Sequence, residues 1–233
     1  MISKEDIGKG YDTIAERIFV SDAFYNEVLD IEAGFYGDVL EAGVGQGVVL
    51  KKIAECGGKA IKSLSGIDLS DRLIAMARAA VPGARIIKAD IEAMPFAENL
   101  FDFVIMVDTF QYLFDFHQAL KEVKRVLRPG GTFIVTVPNR RWILFDEYIK
   151  KRKNIQPVQD HFFTYTEMKM LLTRHEFDIT AFRGADCLRY YAPYHKYEIL
   201  LAKLFPFLHK RMKKMVFRCA NKKPFLLTHN ITL

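Results

Sequence analysis

Val39-Leu-Glu-Ala-Gly-Val-Gly-Gln-Gly47 is the stretch of this 233-residue chain that decides its fold. Its apolar first half is typical of a short buried strand, which leads directly into a turn that contains Gly43, Gly45 and Gly47. A helix is predicted after the turn, over residues 48–56. Because glycine permits a tight turn and close approach to the main chain, the stretch predicts a strand, a ligand-binding turn and a helix in direct succession.

Similar units flank this stretch, since strands and helices alternate up to residue 138. Strands are predicted at residues 38–42, 63–68, 85–89, 101–107, 132–137, 177–182 and 215–220. Helices are predicted at residues 1–35, 48–56, 71–80, 113–127 and 166–175, and a basic, aromatic helix at 140–153. Ser70 and Thr166 are the expected N-caps, and Arg128-Pro129-Gly130-Gly131 is the expected helix stop. The alternation predicts an α/β fold, a doubly wound and mostly parallel sheet with helices on both faces.

Composition favours a soluble globular protein of a reducing compartment. The three cysteines form no CxxC pair, which argues against a disulfide framework and against a zinc site, so no metal is expected. The N-terminus has no apolar signal segment, and no apolar run is long enough to span a bilayer. We therefore expect a cytoplasmic protein.

Positive charge is concentrated at the C-terminal end of the chain. Residues 203–233 hold eight Lys and Arg residues and no acid, so the net charge of +6 leaves residues 1–202 at −2. Such a segment suits lipid headgroups, phosphate or nucleic acid, and it equally suits a solvated surface. Residues 199–214 run from apolar to basic, which fits a membrane interface or a lipid-like substrate, although Pro206 would interrupt a helix there.

Acidic residues follow the second and third predicted strands. Asp68 stands where a carboxylate can accept hydrogen bonds from ribose hydroxyls, and Leu69 can pack on an adenine face. Asp90 can meet the adenine amino group with Ile91 against the ring, or it can be an ordinary turn residue. A dinucleotide fingerprint would place its third glycine at position 48, which is Val48, so a nicotinamide dehydrogenase is disfavoured.

Taken in order, the motifs VLEAGVGQG, GIDLS, ADIEAMPF, FDFVIMVD and LKEVKRVLRPGGTFIVTVPN resemble those of class I S-adenosylmethionine-dependent methyltransferases. The resemblance covers residues 36–138 and the two late strands, and it is to the small-molecule branch that includes ubiquinone and sterol methyltransferases. It implies a Rossmann-like, seven-stranded sheet whose last strand, Met215–Ala220, is antiparallel, together with a helical cap. It also implies S-adenosylmethionine as the cofactor.

The resemblance assigns roles along the cofactor. Glu41 and Gly43 would face its methionine part, Val107 would offer backbone groups there, and Tyr11 would close over it. Asp68 would hold the ribose, and Asp90 with Ile91 the adenine. The complete predicted cofactor-binding set is Tyr11, Glu41, Gly43, Gly45, Gly47, Asp68, Leu69, Asp90, Ile91 and Val107.

The acceptor side is less defined. Many relatives carry two histidines where this chain has Gln111-Tyr112, and the run Val107–Phe110 replaces the Asn/Asp-Pro-Pro-Tyr of enzymes that methylate amino groups of adenine, cytosine or glutamine. Candidate bases are Asp108, His117, His161 and His195. Among them His161, beside Asp160, is the candidate for a catalytic or acceptor-contacting role. Four tyrosines can line an apolar acceptor pocket or simply pack a lid: Tyr190, Tyr191, Tyr194 and Tyr197.

The resulting hypothesis is one methyltransferase domain over residues 1–233. It would comprise an N-terminal helical lid (1–35), a cofactor-binding core (36–138) and cap or acceptor-site insertions at 139–165 and 184–213. The expected reaction is methyl transfer by in-line displacement to a small-molecule or lipid-like acceptor, with peripheral contact to an anionic membrane as a further expectation. The alternatives are an RNA methyltransferase that uses the basic C-terminal segment, which the near-neutral core disfavours, and a non-catalytic cofactor-binding regulator.

Overall fold

A seven-stranded sheet forms the centre of the structure, a computed structural model that describes residues 3–17, 22–32, 34–140, 161–185 and 214–221. The strands are β1 (Gly37–Ala42), β2 (Ile61–Asp68), β3 (Arg85–Lys88), β4 (Phe101–Met106), β5 (Leu127–Val137), β6 (Phe177–Ala185) and β7 (Lys214–Asn221). Their order in the sheet is β3-β2-β1-β4-β5-β7-β6. Only β7 runs antiparallel to its neighbours, β5 and β6. The predicted mostly parallel sheet with an antiparallel last strand is therefore confirmed.

The helices of the described residues lie between and before these strands. They are α1 (Lys4–Ile14), α2 (Asp22–Leu29), α3 (Val48–Gly57), α4 (Asp71–Ala80), α5 (Phe116–Val126) and α6 (Tyr165–Arg174). Short 3-10 turns occur at Ala15–Arg17, Gly58–Ala60, Ile91–Ala93 and Phe110–Tyr112. Among the described residues, no helix combines the length and the apolar character that crossing a membrane requires.

Side chains along the central strands point alternately to the two faces of the sheet, which divides the hydrophobic core into two layers. Val39 and Ile105 join a cluster with Phe24 of α2 and Ile53 of α3. The intervening residues of the strands join a larger cluster with α5 and α6 on the other side, where Phe133 is fully buried. Because successive side chains of a strand point to opposite faces, one apolar strand serves both layers. This packing brings the carboxyl ends of β1, β2 and β4 to one edge of the sheet.

Several predicted boundaries are wrong for local reasons. Thr166 is not a cap: the N-cap of α6 is Thr164, whose side chain accepts a hydrogen bond from the backbone N–H of Glu167 while the Glu167 carboxylate returns one. The helix predicted over 113–127 begins only at Phe116, because the Asp115 side chain caps it by accepting from the Gln118 backbone N–H.

The expected stop at Arg128–Gly131 is likewise not a separate loop. β5 begins at Leu127, directly after α5, and the pairing with β4 shifts register before it becomes regular at Thr132. Gly130, with a φ of 80°, allows this irregular start. The described residues of the range 1–35 form two helices and a 3-10 turn, and α1 ends at Ile14, so the one helix predicted there is wrong. The helix predicted at 140–153 and most of the 184–213 insertion, with its four tyrosines, lie outside the described residues.

Candidate functional site

The glycine turn after β1 is tied to the end of β2. The backbone N–H groups of Gly43 and Val44 both donate to the Ile67 carbonyl, over 2.8 and 2.9 Å. The N–H of Gly45 donates to Oδ2 of Asp68 over 2.9 Å. The two strand ends that the sequence identified as ligand-binding are therefore one hydrogen-bonded unit, as neighbouring parallel strands allow.

Each glycine of the turn has a positive φ, but their surroundings differ. A Cβ on Gly43 would lie 2.2 Å from Oγ1 of Thr109, and a Cβ on Gly47 would lie 3.0 Å from the Cα of Ala77. A Cβ on Gly45 would meet nothing within 4 Å. Gly43 and Gly47 are therefore required for the close approach of neighbouring segments, whereas Gly45 leaves main chain open to a ligand.

Asp68 organises this edge through backbone hydrogen bonds. Besides Gly45, its carboxylate accepts from the N–H of Ser70 over 3.0 Å and from that of Leu69. Burial raises the pKa of Asp68, and the three N–H donors oppose that rise. Because a carboxylate offers roughly four lone-pair positions, capacity remains for a ligand hydroxyl.

Glu41 is the most deeply buried acid of the site. Its side chain is 2% exposed at the end of β1. Its Oε2 accepts a hydrogen bond of 3.0 Å from the N–H of Leu50, in the first turn of α3. Burial raises the pKa of Glu41 well above its ordinary value, and the nearby charge of Asp68 acts in the same direction. A buried carboxylate beside a second one favours a positively charged ligand.

Helix α1 covers the turn from β2 into α4. Oδ1 of Asp12 lies 2.5 Å from the Ser70 hydroxyl, and it accepts from the N–H of Arg72 over 3.0 Å. Gly8 lies against the main chain of Leu69, since a Cβ there would be 2.6 Å from the Leu69 carbonyl oxygen. Three polar or close contacts thus hold α1 against this edge, and its role as a lid stays a prediction.

Two further contacts of α1 involve predicted ligand-binding residues. Lys4 Nζ lies 2.5 Å from Oδ2 of Asp90 and 2.6 Å from Oε2 of Glu92. Tyr11 packs its ring edge-on against Tyr112, with the centroids 5.9 Å apart. Asp90, which the sequence analysis assigned to adenine, therefore already pairs with Lys4 of α1.

Asp90 also caps the 3-10 turn after β3. Its Oδ1 accepts from the backbone N–H of Glu92 over 2.9 Å. The side chain of Ile91 is buried and belongs to the main core cluster. The ordinary turn role that the sequence left open for Asp90 is thus present in the structure, and its role toward adenine stays a prediction.

The end of β4 completes the edge. Val107 is buried, and its carbonyl accepts from the Thr109 hydroxyl over 3.1 Å. Asp108 has a φ of 55°, the left-handed conformation, and its N–H donates to Oγ1 of Thr136 over 2.9 Å. Such backbone strain in a residue with a β-carbon is concentrated at functional sites. The sequence named Asp108 as a candidate base but gave no sign of its conformation or of the role of Thr109.

Gln111 is a buried amide in the 3-10 turn that follows. Its side chain is 2% exposed, and its Oε1 has no hydrogen-bond partner within the ranges that the structure describes. Its backbone carbonyl accepts from the N–H of His161 over 3.1 Å. This turn therefore connects the glycine edge, through Thr109, with the segment that carries His161.

The candidate histidines are placed differently. His161 is exposed, and its ring stands edge-on to Phe116 with the centroids 5.1 Å apart. His117 instead pairs with His175 at the surface, with Nδ1 and Nε2 2.8 Å apart. His161 thus lies near the end of β4, His117 belongs to a separate surface pair, and His195 lies outside the described residues.

The comparison with known families identifies the core. Residues 40–135 match the family described as the methyltransferase domain. A probable S-adenosylmethionine-dependent methyltransferase of Mycolicibacterium smegmatis is 36% identical over 103 residues, which are 44% of this chain and 38% of that protein. The chain thus spans well under half the length of that relative.

Two other similarities cover more of the chain. A ubiquinone/menaquinone biosynthesis C-methyltransferase of Geotalea daltonii is 28% identical over 162 residues, which are 60% of this chain and 67% of that protein. A Haloferax volcanii methyltransferase, solved in complex with the Trm112 methyltransferase activator, has a TM-score of 0.75 at 18% identity and covers 94% of this chain and 98% of its own. The latter shows the fold. Together the comparisons confirm the predicted class I resemblance and the Rossmann-like fold.

Proposed function

Residues 40–135 match the methyltransferase domain family, and from this similarity we propose that the chain is an enzyme that transfers a methyl group from S-adenosylmethionine to a small-molecule or lipid-like acceptor. The observation that carries the proposal is the open main chain at Gly45, held by Asp68 and flanked by the buried carboxylate of Glu41. This arrangement suits a nucleoside joined to a positively charged amino acid.

In this proposal, different residues bind different parts of the cofactor. Asp68 accepts hydrogen bonds from the ribose, Leu69 and Ile91 lie beside the adenine, and Glu41 faces the methionine end. Tyr11 and α1 cover the site and exclude water. When bound, S-adenosylmethionine supplies an activated methyl group on a sulfonium, so the protein contributes mainly position and electrostatics. Alignment of the reactants alone can remove roughly 7–11 kcal/mol of the barrier.

For the acceptor side we propose the end of β4 and the segment after it. Asp108 and His161 are the candidate bases, and either would add about 10²–10⁴-fold to the rate. A lipid-like acceptor is supported by the quinone named for the Geotalea daltonii relative and by the apolar-to-basic residues 199–214. Contact of that segment with an anionic membrane stays a prediction.

Calorimetry with the Asp68→Ala variant tests the cofactor site. The variant loses the ribose acceptor and the bond that holds Gly45, and charge-assisted hydrogen bonds are worth about 1.5–3 kcal/mol each. We expect the affinity for S-adenosylmethionine to fall at least about tenfold. Asp71→Ala is the matched control, because Asp71 is exposed and pairs with Lys88. Equal affinities of the wild type and Asp68→Ala would refute the ribose assignment.

A methyl-labelling assay tests the acceptor class. The protein is incubated with S-adenosylmethionine carrying a radioactive methyl group and with cell extract separated into lipid, small-molecule, RNA and protein pools. Label in the lipid or small-molecule pool is expected, and it should fall with Asp68→Ala. Label in the RNA pool would instead establish the RNA methyltransferase alternative. Cofactor binding without label in any pool would favour the non-catalytic regulator.

A further inference from the structure

The buried carboxylate of Glu41 has no positive partner within the described part of the chain. The N–H of Leu50 is its hydrogen-bond donor, and the N-terminus of α3 adds a partial positive charge. None of the ion pairs among described residues includes Glu41 or Asp68. Lys4, the cation that reaches this edge, is bound to Asp90 and Glu92. A carboxyl group that is buried without a positive partner is costly to ionise.

The groups that face Glu41 from neighbouring elements are themselves acidic. Asp68 approaches from β2 and disfavours a second negative charge. The phenol of Tyr25 faces the pair Glu41 and Asp108 from α2, and burial together with these two charges raises the pKa of Tyr25. The site therefore brings several acids close together, and ionising Glu41 beside Asp68 is costly because neither has an ion-pair partner among the described residues.

We propose that Glu41 is protonated in the ligand-free protein and releases its proton to solvent when S-adenosylmethionine binds. The O–H bond of the carboxyl group breaks, the proton goes to water or buffer, and the carboxylate then faces the positive charge of the bound cofactor. This inference rests on the proposed function, since that function supplies the cation. Glu41 thereby becomes the residue that makes the site selective for a cationic ligand.

Two consequences follow from thermodynamic linkage. The slope of log affinity against pH equals the number of protons released, so affinity should rise by up to about tenfold per pH unit until free Glu41 ionises. Adenosine carries no positive charge at neutral pH and should bind without proton release. With glutamine at position 41 no proton is available, so the corresponding pH slope should disappear.

Calorimetric titration at pH 7 in phosphate and in Tris, which differ in their heats of ionisation, measures the released protons. We expect about one proton per S-adenosylmethionine for the wild type and for Glu55→Gln, a control with the same chemical change at an exposed position of α3. Glu41→Gln and the adenosine titration should give a value near zero. A pH series on the wild type, from 6 to 8, tests the linkage without any variant.

The possible outcomes distinguish a failure of this inference from a failure of the proposed function. Binding of S-adenosylmethionine without proton release, or equal release by Glu41→Gln, would overturn the role of Glu41 and leave the methyltransferase proposal intact. No binding at all would overturn the cofactor site, and this inference with it.

Discussion

The ammonium of Lys4, at the start of α1, lies 2.5 Å from the carboxylate of Asp90, which follows β3 and is 86 positions away in the sequence. The same ammonium lies 2.6 Å from Glu92, whose other oxygen accepts from the N–H groups of Phe114 and Asp115. The N-terminal helix is thus joined by one cation to the segment after β3, and through Glu92 to the segment of Phe114 and Asp115. Opening of α1 would expose the carboxylate predicted to meet adenine.

Lys4→Met should loosen α1 without unfolding the protein. The pair is partly exposed, and such pairs contribute about 0–1 kcal/mol, so global stability should change little. Hydrogen exchange of the α1 amides should become faster, because the helix loses its tie to Asp90 and Glu92. Lys9→Met is the control, since Lys9 pairs with the exposed Glu5 of its own helix. Equal exchange in the two variants would show that Lys4 does not hold the lid.

Alanine at two positions of the glycine turn should separate folding from binding. Alanine in the left-handed region costs roughly 1–2 kcal/mol at either position. At Gly43 the added Cβ also meets Thr109 at 2.2 Å, which adds roughly 1–3 kcal/mol of overpacking. Gly43→Ala should therefore lose stability in urea unfolding beyond Gly45→Ala, whereas Gly45→Ala should lose affinity for S-adenosylmethionine. Unchanged affinity of Gly45→Ala would place the cofactor away from this turn.

Sequence patterns were sufficient for the fold because its signals are local and repeated. Ser70 caps α4 as predicted, since a serine before an amphipathic run has a single good use there. The cap of α6 was misplaced because both Thr164 and Thr166 precede the helix, and only the reciprocal bonds with Glu167 distinguish them. Strand ends with their acids were also predictable, since parallel strands bring their carboxyl ends to one edge.

The contacts between distant segments could not be predicted. Lys4 and Asp90 are 86 positions apart, and neither shows a local pattern that would join them. The steric clash that requires glycine at position 43 involves Thr109, which is 66 positions away in the sequence. The orphan oxygen of Gln111 depends on what surrounds it in three dimensions. Such features arise from tertiary packing, which a single sequence does not display.

Gln111→Met should raise thermal stability. The buried Oε1 of Gln111 has no hydrogen-bond partner among the described residues, and an unsatisfied buried polar atom costs about 1–3 kcal/mol. Methionine has a similar volume and no such atom, so the melting temperature should rise by several degrees, as scanning calorimetry can measure. Gln118→Met is the control, because Gln118 donates to the Glu92 carbonyl and should lose stability when replaced. A lower melting temperature for Gln111→Met would mean that the amide serves the fold.

A stability gain at position 111 would also bear on function. Natural chains depart from full hydrogen-bond satisfaction mainly at functional or strained sites. The same variant should then incorporate less methyl label into the acceptor pool, despite its higher melting temperature. Unaltered labelling would assign Gln111 no part in acceptor recognition.

The charge state of Glu41 should also appear in the pH dependence of stability, in the absence of any ligand. Folding raises the pKa of Glu41, mainly through burial, so the folded protein holds this proton more tightly than the unfolded chain does. The corresponding stability is fully present below the unfolded pKa of about 4.3 and is lost as pH rises through the folded pKa. Within that window the loss is about 1.4 kcal/mol per pH unit. Glutamine at this position does not titrate. The free energy of unfolding of Glu41→Gln should therefore increase relative to that of the wild type as pH rises.

Urea unfolding of both proteins at pH 5, 6, 7 and 8 measures this gain. Groups that do not interact with Glu41 titrate equally in the two proteins and cancel in the difference between their free energies of unfolding, which leaves the contribution of position 41 and of its coupling to Asp68 and Tyr25. Glu55→Gln should show no such trend, because that side chain is exposed. A constant difference between wild type and Glu41→Gln from pH 5 to pH 8 would mean that Glu41 is already ionised in the folded protein. The carboxylate would then need a positive partner even before a cofactor arrives, and the protonation proposed for the ligand-free site would be wrong.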